Sequence, residues 1–386
     1  MRLNGLEAID EIVAAAVADG QVPGVVATVA CGDDVHTVAA GEATVGAAPM
    51  REDTLFRIAS ITKPMTAAVA LSLVGDGTLA LDEPIDRLLP ELADRRVLCR
   101  PDGPLDDTEP AARAATVREL LTFTWGFGMQ GAMFVAPQPW PIVAAAAERS
   151  LSTFGPPAPG STPDPDTWLS RLAELPLLLQ PGSKWLYSSG SQLLGVLIAR
   201  ATGKPWEQAM QERLLDPLGM SDTSFWAADS ARLATAYASA AGEFVVVDPP
   251  DGQWSRPPAF PDGAAGLVST AADVVRFGRM LLRGGAGVLR AETVAEMTRD
   301  QLTTEQRSYD WGGFDMLSGR GWGYGVSVLD DGSYSWDGGS GTTWSNVPDL
   351  DLTVVVLTQR QWDETGPPAV CDAVRQAARA AVVSRA

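Results

Sequence analysis

The sequence predicts an α+β fold: an antiparallel sheet flanked by the two terminal helices, with a mainly helical lobe inserted into it. Three observations carry this expectation. Strand-like runs gather at the two ends of the chain, at 24–30 and 35–40 and again at 324–329, 333–336, 343–346 and 352–358. Helical patterns and long loops fill the middle, from 66 to about 240. Amphipathic segments open and close the chain. The predicted division is an α/β domain of residues 1–65 and 241–386 and a helical domain of 66–240, with a lid insertion at about 128–180. A chain of 386 residues that is 46% hydrophobic and 20% charged has ample material for a large core.

In chain order, the first segment (MRLNGLEAIDEIVAAAVADGQVPG) is a helix carrying Glu7, Asp10 and Glu11. It lacks the charged-then-apolar order of a secretory signal, and no later run is long enough to span a bilayer, so a cytoplasmic protein is expected. Residues 24–30 and 35–40 form a hairpin across CGDD, and 55–58 is a short strand leading to Ser60. The apolar run 65–74 is a helix, ended by Gly75 and Gly77. Thr116 and Glu119 form a capping box that opens VRELLTF. Residues 155–165, rich in Pro and Gly, are a loop long enough to suggest function. Helices follow at 192–202, closed by Gly203, and at 207–215. Strand character returns at 243–247, close-packing backbone at 263–268, a second capping box at Thr270 and Asp273, and a closing helix at 369–383.

Composition excludes several classes of function. A net charge of −19, scattered along the chain, disfavours nucleic acid and anionic membranes as partners. Cys31, Cys99 and Cys371 are far apart and odd in number, which argues against a disulfide framework or a zinc site. His36 is the single histidine, so a Ser-His-Asp triad would have to use it and a multi-histidine metal site is impossible. No G-x-S-x-G elbow is present. Neither a cofactor nor a metal is expected.

The chemistry concentrates in FRIASITKPMTA, where an extended approach gives way to a helix. Ser60 and Lys63 are three residues apart and share a helical face, which brings hydroxyl and amine within hydrogen-bonding reach. The free N–H groups of the helix start lie beside Ser60, and Pro64 in the first turn costs no hydrogen bond. Apolar sequence on both sides buries Lys63, and a buried lysine loses proton affinity and can act as a base.

Three motifs in order then resemble the serine β-lactamase-like superfamily: Ser60-x-x-Lys63, Tyr187-Ser188-Ser189, and Trp336-Asp337-Gly338-Gly339. The chain is most similar to the branch of class C β-lactamases, DD-peptidases and family VIII carboxylesterases, with LFRIASITKPMTA, VRELLTFTWG, PGSKWLYSSGSQLLG, DPLGMSDTSF and GAAGLVSTAADVVRF in family order across roughly 5–380. The resemblance implies a β-lactamase/transpeptidase-like fold and catalysis by Ser60, Lys63 and Tyr187. It also implies an oxyanion hole from the N–H groups of Ser60 and Gly339, and substrate contacts from Trp336, Gly338, Ser189 and Trp125. The sequence departs from the family where Ser189 replaces Asn, where Trp336 replaces Lys, and where Phe123 and Trp125 replace His and Ser. Losing the third-motif lysine removes a cation for a substrate carboxylate, and Trp-x-Gly in that place resembles the family VIII esterases.

The expected activity is hydrolysis of small-molecule carboxylic esters through an acyl-enzyme on Ser60, with Lys63 and Tyr187 sharing the role of base. Which of the two takes the Ser60 proton stays open at this point, as does the oligomeric state. Trp140 and Trp168 in the lid region, and Trp311 and Trp322 in a second aromatic loop, are candidates for an apolar pocket wall. Three alternatives stand beside this reading. A D-amino-acid peptidase, amidase or weak β-lactamase would need a cation such as Arg360. An acyltransferase would use the same serine, and a non-catalytic binding protein would keep only the fold.

Overall fold

The computed structural model describes residues 2–308, 312–363 and 366–383. Its frame is an eight-stranded antiparallel sheet made from the two ends of the chain. Helix α1 (Glu7–Ala18) precedes β1 (Gly24–Cys31), which turns into β2 (Asp34–Thr44) and the short β3 (Ala48–Pro49). After the helical middle come β4 (Gly321–Trp322), β5 (Ser327–Val328), β6 (Tyr334–Gly338), β7 (Thr342–Val347) and β8 (Leu352–Thr358). The spatial order is β4-β5-β6-β7-β8-β1-β2-β3. The pairing of β8 with β1, from Leu352 opposite Cys31 to Thr358 opposite Val25, closes the two ends into one sheet.

The centre of this sheet is covered on both faces, so β1 and β8 are continuous apolar runs rather than alternating ones. Alternate residues still go to different cores. Val25, Ala27, Val29 and Cys31 join Leu352, Val354 and Val356 in a core with α1 and the C-terminal helix. Val26, Ala30, Val355 and Leu357 point the other way, into the larger core shared with the helical middle. In that middle, Thr62–Gly75 forms α2, nearly all of it buried, and Ser189–Thr202 forms α3, ended by Gly203 at φ 65°. Helix α4 (Ala271–Leu282) lies behind the sheet, and α5 (Val370–Ala381) closes the chain.

Several expected elements take a different form. The strand expected over 324–329 shrinks to β5, because its first residues lie in a turn that Gly323 N–H closes on Val326 O, with Gly325 inside it. Gly325 has φ +72°, and a Cβ there would lie 2.7 Å from that of Ala67, so the chain runs flush against α2. The capping box at Thr116 and Glu119 forms with both bonds. At Thr270 only half of it forms: the Thr270 hydroxyl accepts from Asp273 N–H, but the shorter Asp273 side chain accepts from Asp222 N–H and Thr223 Oγ1 instead. Strand Ala236–Ala240, which pairs with Glu243–Asp248, has no clear sequence signal, since its alanines and serine have little strand preference of their own.

The region 128–180 is anchored rather than free. Its two longer helices, Pro141–Glu148 and Pro165–Ala173, dock through Ile142, Trp168, Leu169 and Leu172 into the main core. Trp168 is fully buried against Phe260, with its indole N–H on Leu151 O. It is therefore core and does not line a cleft. Trp311 lies outside the described residues. Among the described residues, no helix is long and apolar enough to cross a membrane.

Candidate active site

The extended residues Phe56–Arg57 pair with Val268–Ser269, and the chain then turns sharply through Ala59 at φ 44° into a 3-10 turn, Ala59–Ile61, that leads into α2. A non-glycine residue in the left-handed region directly before Ser60 is a strained feature of the kind found at functional sites. Ser60 sits at the head of this turn, where N–H groups have no partner within the helix. Two side chains at the β6–β7 end of the sheet hold it there: Thr342 Oγ1 donates to Ile58 O at 3.0 Å and Ser340 Oγ donates to Arg57 O.

Two side chains converge on the Ser60 hydroxyl. Lys63 Nζ lies 2.9 Å from Oγ, and the Tyr187 hydroxyl donates to the same oxygen at 2.8 Å. Lys63 is buried, also donates to Ala264 O at 2.9 Å, and its amine lies 4.6 Å from the centre of the Tyr187 ring. Tyr187 is fixed by two backbone bonds with Met129, of 2.7 and 2.9 Å. Directly after it, Ser188 adopts φ 87° and ψ −55° and Ser189 N–H closes back on Tyr187 O at 3.3 Å. This γ-turn is strained for a residue with a side chain, and it starts α3.

Burial sets the electrostatics. Desolvation lowers Lys63 to about 7, with the nearby Asp262 carboxylate acting against it. Desolvation pushes Tyr187 up to about 12, opposed by its hydrogen bonds with Ser60 and Trp336. Near neutral pH the amine is thus poised between its two forms while the phenol keeps its proton.

The remaining expected site residues fall into two groups. Trp336 is at the site: its indole N–H donates to the Tyr187 oxygen at 3.0 Å, and its ring meets Trp322 edge-on at 4.7 Å. Trp322 is therefore a wall behind the tyrosine, in a cluster with Phe123, Trp185 and Trp336. Gly339 follows the end of β6 and its carbonyl accepts from Trp362 N–H, which leaves its own N–H beyond the β6 ladder. Gly338 lies against the serine's backbone: a Cβ there would sit 2.5 Å from Ile58 O and 3.2 Å from Ala59 Cβ. It allows β6 to approach the turn and offers substrate no side chain.

The side chains of Ser189 and Trp125 are engaged with each other, whereas Lys63 bonds to Ser60 and Ala264. The Ser189 hydroxyl donates to Phe127 O at 2.5 Å and accepts from Trp125 Nε1 at 3.0 Å. Both side chains are buried. What reads in sequence as two separate departures is one internal hydrogen bond that braces the 123–127 turn against the start of α3. Arg360, the candidate cation for a substrate carboxylate, is ion-paired with Asp363.

Sequence reasoning passed over Asp262, Gln192 and Ala264. Asp262 is buried beside Lys63, and its oxygens accept from Ala264 N–H at 2.6 Å and Gln192 Nε2 at 3.0 Å. The available signal was an acidic residue heading the glycine-rich stretch DGAAGLV. Among the described residues, no three His, Cys, Asp or Glu side chains converge where a metal ion could bind.

With this geometry in hand, comparison with known proteins is consistent across the chain. Residues 9–379 match the Beta-lactamase family. An uncharacterized protein of Mycobacterium tuberculosis is 40% identical over 337 residues, covering 81% of this chain and 79% of the relative. Esterase EstB of Burkholderia gladioli is 34% identical over 352 residues, covering 83% of this chain and 81% of its own. Among solved structures, EstCE1, described as a hydrolase with promiscuous acyltransferase activity, superposes with a TM-score of 0.80 at 24% identity, over 95% of this chain and 97% of that one. The chain belongs to the β-lactamase family and has its α+β, transpeptidase-like fold.

Proposed function

We propose that this protein is a serine hydrolase that cleaves carboxylic esters through an acyl-enzyme on Ser60. The observation that carries this is the Ser60 hydroxyl held between a lysine amine lowered to about 7 and a tyrosine hydroxyl that keeps its proton. Neutral Lys63 takes the Ser60 proton as Oγ bonds to the ester carbonyl carbon. The N–H groups of Ser60 and Gly339 receive the oxyanion, each such donor contributing about 3 kcal/mol in the transition state. As the C–O bond to the alcohol breaks, Tyr187 gives its proton to the leaving alkoxide and regains one from the Lys63 ammonium, restoring the neutral amine. Trp336 N–H bears on the tyrosine oxygen during this exchange. Water then attacks the acyl-enzyme by the same route in reverse order.

An ester substrate is favoured over a peptide or lactam carboxylate because an indole stands at the third motif and Arg360 is committed to Asp363. We take an exposed apolar patch as the surface for the substrate's apolar part. The turn that continues from the Met129 bridge exposes Phe134 and Val135, and Phe314 packs against Phe134 with ring centroids 5.8 Å apart. Similarity to Esterase EstB supports the same reading. Its setting in the cytoplasm, with no nucleic-acid partner, is supported by three free cysteines and a net charge of −19.

The test is hydrolysis of p-nitrophenyl acetate, butyrate and octanoate beside a chromogenic cephalosporin, by the wild type and Ser60→Ala. Ester cleavage that falls about 10³-fold or more in the variant is expected. Lactam opening as fast as ester cleavage would contradict the assignment.

A further inference from the structure

We infer that Asp262 is a positioning residue for Lys63: with Gln192 it holds the 262–266 loop so that Ala264 O receives the lysine amine, and its negative charge retains a proton on that amine. The inference rests on the serine-hydrolase reading above and goes beyond it by naming what governs the base.

The geometry is specific. The 262–266 loop is wedged between α2, which carries Lys63, and α3, which begins just after Tyr187. Thr66 Oγ1 on α2 donates to Gly263 O at 2.7 Å, and a Cβ at Gly263 would collide with Ser191 O on α3. Within the loop, Asp262 Oδ1 accepts from Ala264 N–H at 2.6 Å and Asp262 O accepts from Gly266 N–H at 2.8 Å. These bonds turn the Ala264 carbonyl toward Lys63 Nζ, 2.9 Å away. Loss of the Asp262 side chain would release the loop that orients the amine.

The charge has a separate effect. Burial raises the Asp262 carboxyl above its usual range; the bonds its two oxygens accept from Ala264 N–H and Gln192 Nε2, and the Lys63 charge, act against this and favour the carboxylate. The groups facing the amine are the Ser60 and Tyr187 hydroxyls, the Ala264 carbonyl and Asp262; of these only Asp262 is a carboxylate. Asp262 and Lys63 are both buried, and Pro157, Pro159 and Phe260 of the neighbouring segments line a narrow crevice with Asp262. In so dry a setting, one carboxylate sets the proton affinity of its neighbour strongly.

The test is Asp262→Asn, which removes charge while keeping an oxygen for Ala264 N–H. Gln192 Oε1 has no hydrogen-bond partner, so a rotated Gln192 amide can accept from the new side-chain amide. The chain has only three lysines, Lys63, Lys184 and Lys204, so a ¹³C-lysine-labelled sample gives a readable titration, with Lys63 assigned through Lys63→Arg. The Lys63 midpoint is expected to fall by about one pH unit or more, and the acid limb of kcat/KM to move down with it. An unchanged midpoint would overturn the proposal and leave Asp262 as a purely structural side chain. Asp262→Ser serves as a second neutral variant with an oxygen for Ala264 N–H; unfolding of both would assign the carboxylate to folding and equally overturn the proposal. Failure of the serine-hydrolase reading shows elsewhere, as activity persisting in Ser60→Ala, and leaves the lysine titration readable.

Discussion

As the proposed base, Lys63 is the residue on which stability and activity are expected to pull in opposite directions. Burial lowers its amine from 10.5 to about 7, because folding strips it of water. The unfolded chain therefore binds this proton more tightly, and the penalty to folding is complete below pH 7 and fades as pH rises toward 10.5. Lys63→Met is expected to lower kcat/KM by about 10³-fold and to raise the thermal midpoint. That gain should be largest at or below pH 7 and vanish near 10.5; thermal scans across pH showing a constant difference would contradict the assignment. Wild-type activity should fall below about pH 7 as the amine takes up its proton. At this scale the sequence was legible wherever chemistry is local. Ser60 and Lys63 share one turn, so spacing alone brings them together. Asp262 and Gln192 are joined to the site only by packing between elements far apart in sequence, and nothing in their neighbours announces it.

At the scale of elements, the site is held by turns in costly conformations. Ala59 precedes the serine, Ser188 follows the tyrosine, and Phe123, which packs edge-on to Tyr187, has φ 60°. Glycine would adopt each conformation more easily, so their side chains are kept at some expense in stability. Ser188→Gly is predicted to raise the free energy of unfolding by about 1 kcal/mol. It should also lower kcat severalfold, since a looser turn no longer fixes Tyr187. Denaturant unfolding with kinetics on the same sample checks both, and a less stable variant would show that Ser188 is not strained. Element boundaries were legible where a run is long and buried on both faces, as in β8. They were not legible where pairing with a distant partner makes the strand, as at Ala236–Ala240, or where a turn takes its place, as at Gly323 and Gly325. The bond between Trp125 and Ser189 explains why two departures from the family pattern occur together.

At the scale of the whole molecule, the two chain ends supply one sheet, and the helical middle supplies most of the groups facing Ser60. β6 and the residue after it bring Trp336 and Gly339 from the sheet side; α2 brings Lys63, and the segment leading into α3 brings Tyr187. The site exists only when these parts are docked, which is why the motifs are spread from 60 to 339. We propose that this assembly makes Ser60 a nucleophile. Intact mass during turnover of p-nitrophenyl butyrate tests it most directly. A transient butyryl adduct that maps to the peptide containing Ser60 and is absent from Ser60→Ala is expected. Ester turnover with no adduct on Ser60, or an adduct that persists in the variant, would contradict it.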